Sequence, residues 1–210
     1  LASFHGCFLI DASGRGNFTG NQEGLRVIHP RLKKVAVFGH FHGVKVDEGP
    51  RSGDTIIVRL ENKWVWFIPL SREKVSVGCV LDQAELAAAS IPPAELFDRV
   101  CRECPALAQR MEGALLVGRL QTTSDFSYYN RRLIGHRLLR VGDAAGFIDP
   151  IFSAGVYLAM YSGKLAAELV HQALDANSDG GRGMKTYERR VFRAMRFYWE
   201  LVENFYTQPF

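Results

Sequence analysis

The stretch Leu139–Ala159 constrains the fold of this chain more than any other. It opens as an apolar strand that ends in Gly142 and Asp143. Small residues follow, then Asp149 and Pro150, then Ser153, Ala154 and Gly155 ahead of a long segment with helical periodicity. A strand, an acidic residue, a turn and a helix start in that order build a socket. A carboxylate accepts hydrogen bonds from hydroxyls, and free N–H groups at a helix start face negative charge. These residues therefore point to a polyhydroxylated, partly anionic ligand. Pro150 biases Asp149 away from helix and sharpens the turn. Asp149 is thus either a turn-fixing cap or a second carboxylate near the ligand.

The rest of the chain alternates between strand and helix signals. Cys7 to Ile10 is a short apolar run closing on Asp11, Ala12, Ser13, Gly14 and Arg15. Such a run predicts a buried parallel strand, and Gly14 and Gly16 suit a loop with unusual backbone angles. From Lys34 to Leu81 the pattern is β, with turn signals at Gly49-Pro50 and Glu61-Asn62. Trp64, Trp66 and Ile68 fall on one strand face, as do Val75, Val77, Cys79 and Leu81 on the next. Three or four strands in series predict an antiparallel sheet. Asp82 is expected to cap a short helix through Ala89. A helix over Ala94–Cys104 is expected to break at Pro105. Leu115–Leu120 and Leu138–Val141 read as strands. Gly155–Leu174 reads as a helix ~30 Å long. Asn177 to Gly183 reads as a linker, and Lys185 to Tyr206 as a second helix. The fold class is α/β with an α+β layout.

Residues Gly142 to Gly155 match the order Gly-Asp-Ala-Ala-x-x-x-Asp-Pro-x-x-Ser-x-Gly. This resembles the second FAD-binding motif of flavoprotein monooxygenases, and within them flavin-dependent halogenases and geranylgeranyl reductases. The resemblance implies an FAD/NAD(P)-binding monooxygenase-like fold whose antiparallel sheet floors the substrate region. It implies that FAD lies against Gly142, Asp143, Ala144, Asp149, Pro150, Ala154 and Gly155, and beside the turn Asp11, Ala12, Ser13, Gly14 and Arg15. Parts 1–24 and 133–177 would then form the FAD domain, 25–121 the substrate sheet with its helices, and 178–210 the linker and a helical region. The chain has no early Gly-x-Gly-x-x-Gly, so that fingerprint is expected upstream of Leu1.

Trp64 to Pro69 reads Trp-x-Trp-x-Ile-Pro, which resembles the fingerprint of flavin-dependent halogenases. Two indoles on one strand face make an apolar wall, and the resemblance assigns Trp64 and Trp66 the task of holding organic substrate away from the flavin. It assigns Ser153, with the amides of Ala154 and Gly155, to a halide pocket, because small residues leave N–H groups open at a helix start. The expected activity is halogenation of an electron-rich, aromatic small molecule by reduced FAD, O2 and halide, with a separate flavin reductase as partner. Reduction of isoprenoid double bonds, aromatic hydroxylation, and a fold remnant that binds no FAD stay open.

Bulk composition removes other classes. With 210 residues, a net charge of +4 and 23% charged residues, the chain carries no dense basic block interleaved with aromatics, so nucleic acid is not indicated. Arg131-Arg132 and Arg189-Arg190 read as solvated surface. Four cysteines in this length do not form a disulfide scaffold and suit the cytoplasm. Cys101 and Cys104 lack the second pair that zinc needs. His40 and His42 lack a third ligand nearby, so no metal is expected. No apolar run reaches the ~18 residues that span a bilayer.

Overall fold

Alternating β-branched and aromatic residues between Lys34 and Ser124 fold into one antiparallel sheet; the segments before and after it fold together around two long helices. This computed structural model describes residue 3, residues 5–124 and residues 126–207. The parts of the expected segments at positions 1, 2, 4, 125 and 208–210 lie outside the described residues. Among the described residues the strands are β1 (Leu9–Asp11), β2 (Arg26–Ile28), β3 (Lys34–His42), β4 (Ile56–Leu60), β5 (Lys63–Pro69), β6 (Lys74–Asp82), β7 (Leu115–Ser124), β8 (Tyr128–Asn130), β9 (Ile134–Gly135), β10 (Leu138–Arg140) and β11 (Gly146–Phe147). The α-helices are α1 (Phe18–Gln22), α2 (Gln83–Ala89), α3 (Pro93–Glu103), α4 (Pro105–Met111), α5 (Gly155–Asp175) and α6 (Gly181–Thr207). Contacts divide the chain into two compact units. One holds the chain up to Leu32 and from Phe126 onward, and the other holds the segment between them.

The middle unit is a five-stranded sheet in the order β4-β5-β6-β3-β7. Its period-two alternation puts Val35 and Val37 of β3, Val65 and Phe67 of β5, and Val77, Cys79 and Leu81 of β6 into one core, where α3 adds Leu96, Phe97 and Val100. Each such side chain contributes roughly 1.5–3 kcal/mol when fully buried. On the opposite face Trp66 lies over Gly78, with Phe38 beside it. A Cβ at Gly78 would meet the Trp66 ring at 2.2 Å and the Phe38 Cβ at 2.5 Å, so glycine there is a space requirement.

One local expectation fails here for a physical reason, while the break expected at Pro105 holds, with α3 ending at Glu103. Asp82 does not cap α2 with its side chain. Its carboxylate instead pairs with the buried Lys34 ammonium at 2.9 Å, because an unpartnered buried charge costs more than an open helix end. Pro105 does not merely stop α3; it is the first residue of α4, a position where its missing N–H costs nothing.

The other unit carries two small sheets, in the orders β1-β10-β9 and β11-β8-β2, and the helices α5 and α6. β1 pairs in parallel with β10, but it is not the buried strand that its apolar run predicts. Leu9 is 54% and Ile10 41% exposed, because among the described residues β10 is the only strand paired with β1. The segment 25–32, expected with the substrate sheet, belongs here through the pairing of β2 with β8. The linker expected over Asn177–Gly183 is shorter, since α6 already starts at Gly181. Gly183 is a packing residue: a Cβ there would sit 2.3 Å from the Leu169 Cδ1 of α5. The helices share a core in which Leu165, Ala166 and Leu169 of α5 join Met184, Tyr187 and Met195 of α6.

At the end of β1 a polar network replaces apolar packing. The Asp11 Oδ1 accepts from the Ser13 N–H at 3.0 Å and the Ser13 hydroxyl at 2.6 Å. Its Oδ2 accepts from the Thr19 N–H at 2.8 Å and the Thr19 hydroxyl at 2.5 Å. The fully buried Arg140 of β10 donates to the Thr19 Oγ1 at 2.8 Å and to Glu23 at 2.7 Å. Burial pushes the Asp11 carboxyl up, but the hydrogen bonds from Ser13 and Thr19 outweigh it and bring it down to about 2. The ordinary value is 3.8, so the folded state holds Asp11 ionised more firmly than the unfolded chain does.

Stability carried by Asp11 is therefore complete above the unfolded value of 3.8 and lost as pH falls through about 2. Urea midpoints of the wild type and Asp11→Asn, measured between pH 2 and 6, will differ most at the upper end and converge at the lower end. Gly78→Ala will lower stability by about 1–3 kcal/mol through overpacking, read as a lower urea midpoint together with a shifted tryptophan emission as the Trp66 indole is displaced.

Candidate functional site

Two segments far apart in sequence meet in the unit that holds both chain ends. A cleft of about 500 Å³ opens between the loop after β1, which contributes Ala12 and Gly14, and the turn after β10, which contributes Gly142 and Asp143. Gly155, the first residue of α5, closes one side; Val141, Phe147, Val156 and Ala159 give it apolar walls. Five residues singled out from sequence, Ala12, Gly14, Gly142, Asp143 and Gly155, thus share one cavity.

A buried amide pair holds the two segments together. Asn17 donates to the Asn130 Oδ1 at 2.8 Å, and Asn130 donates back to the Asn17 Oδ1 at 2.9 Å. Asn130 also donates to the Ala144 carbonyl at 2.8 Å. Tyr128 donates its hydroxyl to the Asp143 carbonyl at 2.6 Å. Burial, set against the nearby Arg26 guanidinium, pushes the Tyr128 phenol up to about 12, so it stays a donor at neutral pH. Gly142 has φ 56°, and its N–H donates to the Ser162 hydroxyl of α5 at 2.9 Å. Ser162 donates in turn to the Leu158 carbonyl at 2.7 Å. The Gly142 turn therefore packs directly on α5: a Cβ there would lie 3.2 Å from the Ala159 Cβ.

The charges in the cleft differ from those around it. Asp143 is half-buried, and burial pushes its carboxyl up while Arg15 pulls it back. Arg15 itself is exposed, and its charge is felt at Asp143. Gly14 has φ 63°, and a Cβ there would meet nothing within 4 Å. Its glycine leaves the loop backbone open to whatever enters.

Other expected site residues stand elsewhere. Asp11 organises the loop rather than lining the cleft, because both its oxygens hold Ser13 and Thr19. Gly16 does not have the positive φ expected of it. Ala144 is fully buried behind the turn and offers only its carbonyl, to Asn130. Asp149 is a clamp: its Oδ1 accepts from the Ile151 N–H at 3.0 Å and its Oδ2 from the Tyr206 hydroxyl at 3.1 Å. Of its two sequence readings, the geometry takes the turn-fixing one, next to Pro150, which opens a 3-10 turn.

Ser153 closes that turn in the left-handed conformation, φ 50°, and its side chain is exposed. The first hydrogen bond leading into α5 runs from the Leu158 N–H to the Ala154 carbonyl at 2.9 Å. The N–H groups of Gly155, Val156 and Tyr157 consequently have no acceptor inside the helix.

In the middle unit, Trp64 and Trp66 lie on the same sheet face with ring centroids 5.6 Å apart. Trp64 is only 2% exposed, so it is core. Trp66 is half-buried and donates its indole N–H to the Ser76 hydroxyl at 3.1 Å. Any wall these indoles present to a substrate is formed by Trp66, with Trp64 as its backing.

Sequence reasoning missed Asn17, Asn130, Tyr128, Thr19, Arg140 and Ser162. The partner of each is set by the tertiary fold rather than by spacing in the sequence.

The sequence profile described as tryptophan halogenase matches residues 2–209. The chain is 32% identical over 206 residues to a tryptophan 2-halogenase of Chondromyces crocatus, covering 95% of this chain and 39% of that protein. It is 33% identical over 184 residues to a 1H-pyrrole-2-carbonyl-[peptidyl-carrier protein] brominase of Pseudoalteromonas luteoviolacea, covering 80% and 43%. Among solved structures, the flavin-dependent brominase Bmp2 superposes with a TM-score of 0.91 at 29% identity, over 100% of this chain and 54% of that one. The myxobacterial chondrochloren halogenase, described as an FAD-dependent halogenase, superposes with a TM-score of 0.86 at 30% identity, over 94% and 46%. The chain thus spans about two fifths to half the length of these relatives. Its fold is theirs, and the chain belongs to the tryptophan halogenase family.

Proposed function

We propose that this chain forms part of an FAD-dependent halogenase acting on an electron-rich aromatic or pyrrole-type substrate. One observation carries the reading: the loop after β1 and the turn after β10 converge on a single cleft with apolar walls, one half-buried carboxylate and a helix start. The residues present fit FAD. Asp143 offers a carboxylate to sugar-type hydroxyls. Arg15 offers a cation to phosphate, and the open backbone at Gly14 permits close approach. The apolar walls from Val141, Phe147 and Ala159 suit a flat ring system. When bound, FAD in its reduced form would supply two of the four electrons that take O2 to water, the halide supplying the other two as it is oxidised.

The chain's own groups have three tasks in this reading. Gly142, Asp143 and Gly155 bind and orient the cofactor, with Ser13 and Ala12 on the opposite lip. The Ala154 and Gly155 amides, beyond the left-handed Ser153, hold halide by the partial positive charge of the α5 start. Trp66, backed by Trp64, offers organic substrate an indole wall on the five-stranded sheet. The unit with both chain ends is the FAD-binding part, and the five-stranded sheet serves the substrate. A separate reductase supplying reduced flavin is part of the proposal, as is a cytoplasmic location. All four cysteines are free thiols, and no described helix is long and apolar enough to cross a membrane.

The test is colour, then product. The full-length protein of which this chain is part, purified and titrated with FAD, will hold a yellow chromophore through gel filtration. Given bromide, O2 and chemically reduced FAD, it will brominate an indole or pyrrole acceptor, detected as the bromine isotope pair by mass spectrometry. A protein that stays colourless refutes cofactor binding; a yellow protein that hydroxylates or reduces its acceptor without incorporating halide refutes halogenation.

The two aspartates of the turn will separate. Asp143→Asn will weaken FAD roughly tenfold by replacing a charge-assisted acceptor with a neutral one, with little change in the melting temperature of the FAD-free protein. Asp149→Ala will do the reverse at first order, costing about 1–2 kcal/mol of stability by releasing the Ile151 N–H and the Tyr206 hydroxyl. Thermal melts alongside FAD titrations read both.

A further inference from the structure

The buried face of α5 is a row of apolar residues with one hydroxyl in it. Leu158, Leu165, Ala166, Leu169 and Ala173 are buried, and Ser162 lies among them at 1% exposure. A hydroxyl adds little to apolar packing and has to be satisfied where it is buried. Ser162 meets half of that need inside its own helix, by donating to the Leu158 carbonyl at 2.7 Å. Serines within helices commonly do so. The other bond is not local: the Ser162 oxygen accepts from the Gly142 N–H at 2.9 Å, twenty residues back in the chain. Donation to Leu158 fixes the hydroxyl and leaves its lone pairs to Gly142.

That bond reaches the cleft, which is lined by Gly142 and Asp143 and by Gly155, Val156 and Ala159 of α5. Each residue of the turn is held by a different side chain. Ser162 takes the Gly142 N–H, Tyr128 donates to the Asp143 carbonyl at 2.6 Å, and Asn130 donates to the Ala144 carbonyl at 2.8 Å. Tyr128 and Asn130 both belong to β8. Among the described residues, Ser162 is the side chain of α5 that bonds to the turn, so it ties the turn to the helix start across the cavity. The Asp143 carboxyl feels burial and the Arg15 charge, and among the described residues no side-chain hydrogen bond shifts it. Its aim therefore comes from the backbone that carries it.

We propose that Ser162 is a positioning residue: by holding the Gly142 N–H it sets the gap between the Asp143 turn and the start of α5, and so aims the Asp143 carboxylate at the cofactor. The inference deepens the FAD reading and rests on it. Small residues permit the close approach, since a Cβ at Gly142 would lie 3.2 Å from the Ala159 Cβ. Without the hydroxyl the turn stays tied to β8 but is released from α5. The Gly142 N–H then turns to water for an acceptor, and Asp143 moves with it.

The experiment uses the full-length protein of which this chain is part. FAD affinity, read from flavin fluorescence, is measured for the wild type, S162A, D143N and S162A/D143N. Leu169→Ala opens the packing of α5 on α6 about two turns further along, and serves as the comparator for lost stability alone. Circular dichroism and thermal melts accompany each protein. We expect S162A to weaken FAD roughly fivefold when Asp143 is present and below about twofold in the Asp143→Asn background, as for two residues that act as a unit. Ser162→Cys, close in size but a weak acceptor, will lose less than S162A and stands in for it if S162A does not fold. Leu169→Ala will lower the melting temperature yet change affinity below about twofold. Equal weakening in both backgrounds, or as much weakening by Leu169→Ala, overturns the proposal.

A second readout needs no FAD. In the FAD-free protein the Asp143 carboxyl carbon is followed by NMR over about pH 3–8, assigned by difference from D143N. Burial raises this group, so the Ser162 variants will lower its midpoint as the carboxylate gains water, while Leu169→Ala leaves it in place. An unmoved midpoint overturns the proposal. A wild type that binds no FAD while the midpoint moves sinks the cofactor reading and leaves the link from Ser162 to Asp143 standing. FAD binding with an unmoved midpoint sinks only the role of Ser162.

Discussion

The reciprocal amide pair of Asn17 and Asn130 is the interaction on which the site depends. Each residue is fully buried and each is satisfied by the other. Two amides that meet both ways discharge their hydrogen-bonding needs without water, so the pair tolerates burial that an unpaired amide would not. It also demands space: a Cβ at Gly20 would lie 2.1 Å from the Asn17 Oδ1, so the helix that starts after Asn17 must pass with no side chain there. The third bond, from Asn130 to the Ala144 carbonyl, carries the constraint into the Gly142 turn. Parallel pairing of β1 with β10 brings the loop and the turn to the same end of one sheet, and the seam then fixes the loop's helix against the turn.

Around the seam, charge is handled in layers. Asp11, Thr19, Arg140 and Glu23 form a continuous chain of donors and acceptors behind the loop. Within it the Asp11 carboxylate is stabilised in its ionised form. Asp143, in front, is pushed the other way by burial. Two aspartates in one cleft region thus have opposite characters, one locked into structure and one left with acceptor capacity toward the cavity. That division follows from who donates to each carboxylate, and residue type alone does not reveal it.

Much of this is legible in the amino-acid sequence, and the limits have physical causes. The turn from Gly142 to Gly155 and the loop from Ala12 to Gly14 are readable because strand ends, prolines, glycines and helix starts act over a few neighbouring residues. The face shared by Val75, Val77, Cys79 and Leu81 is readable because a strand has a period of two. Asp82 and Gly183 mislead because tertiary partners, the Lys34 ammonium and the Leu169 side chain, override local rules for caps and linkers. Asp149 is ambiguous for the same reason, since the Tyr206 that engages it lies at the far end of the chain. Asn17 and Asn130 are silent because reciprocity between two lone amides leaves no periodic trace.

The bond from Tyr206 to Asp149 has a mechanical corollary. Tyr206 is carried by α6, more than fifty residues further along the chain. Opening the turn that carries it would release one oxygen of the carboxylate that pins the bend ahead of α5. The geometry of the cleft rim is therefore tied to the integrity of a helical turn remote in sequence, and whatever steadies that turn also steadies the rim.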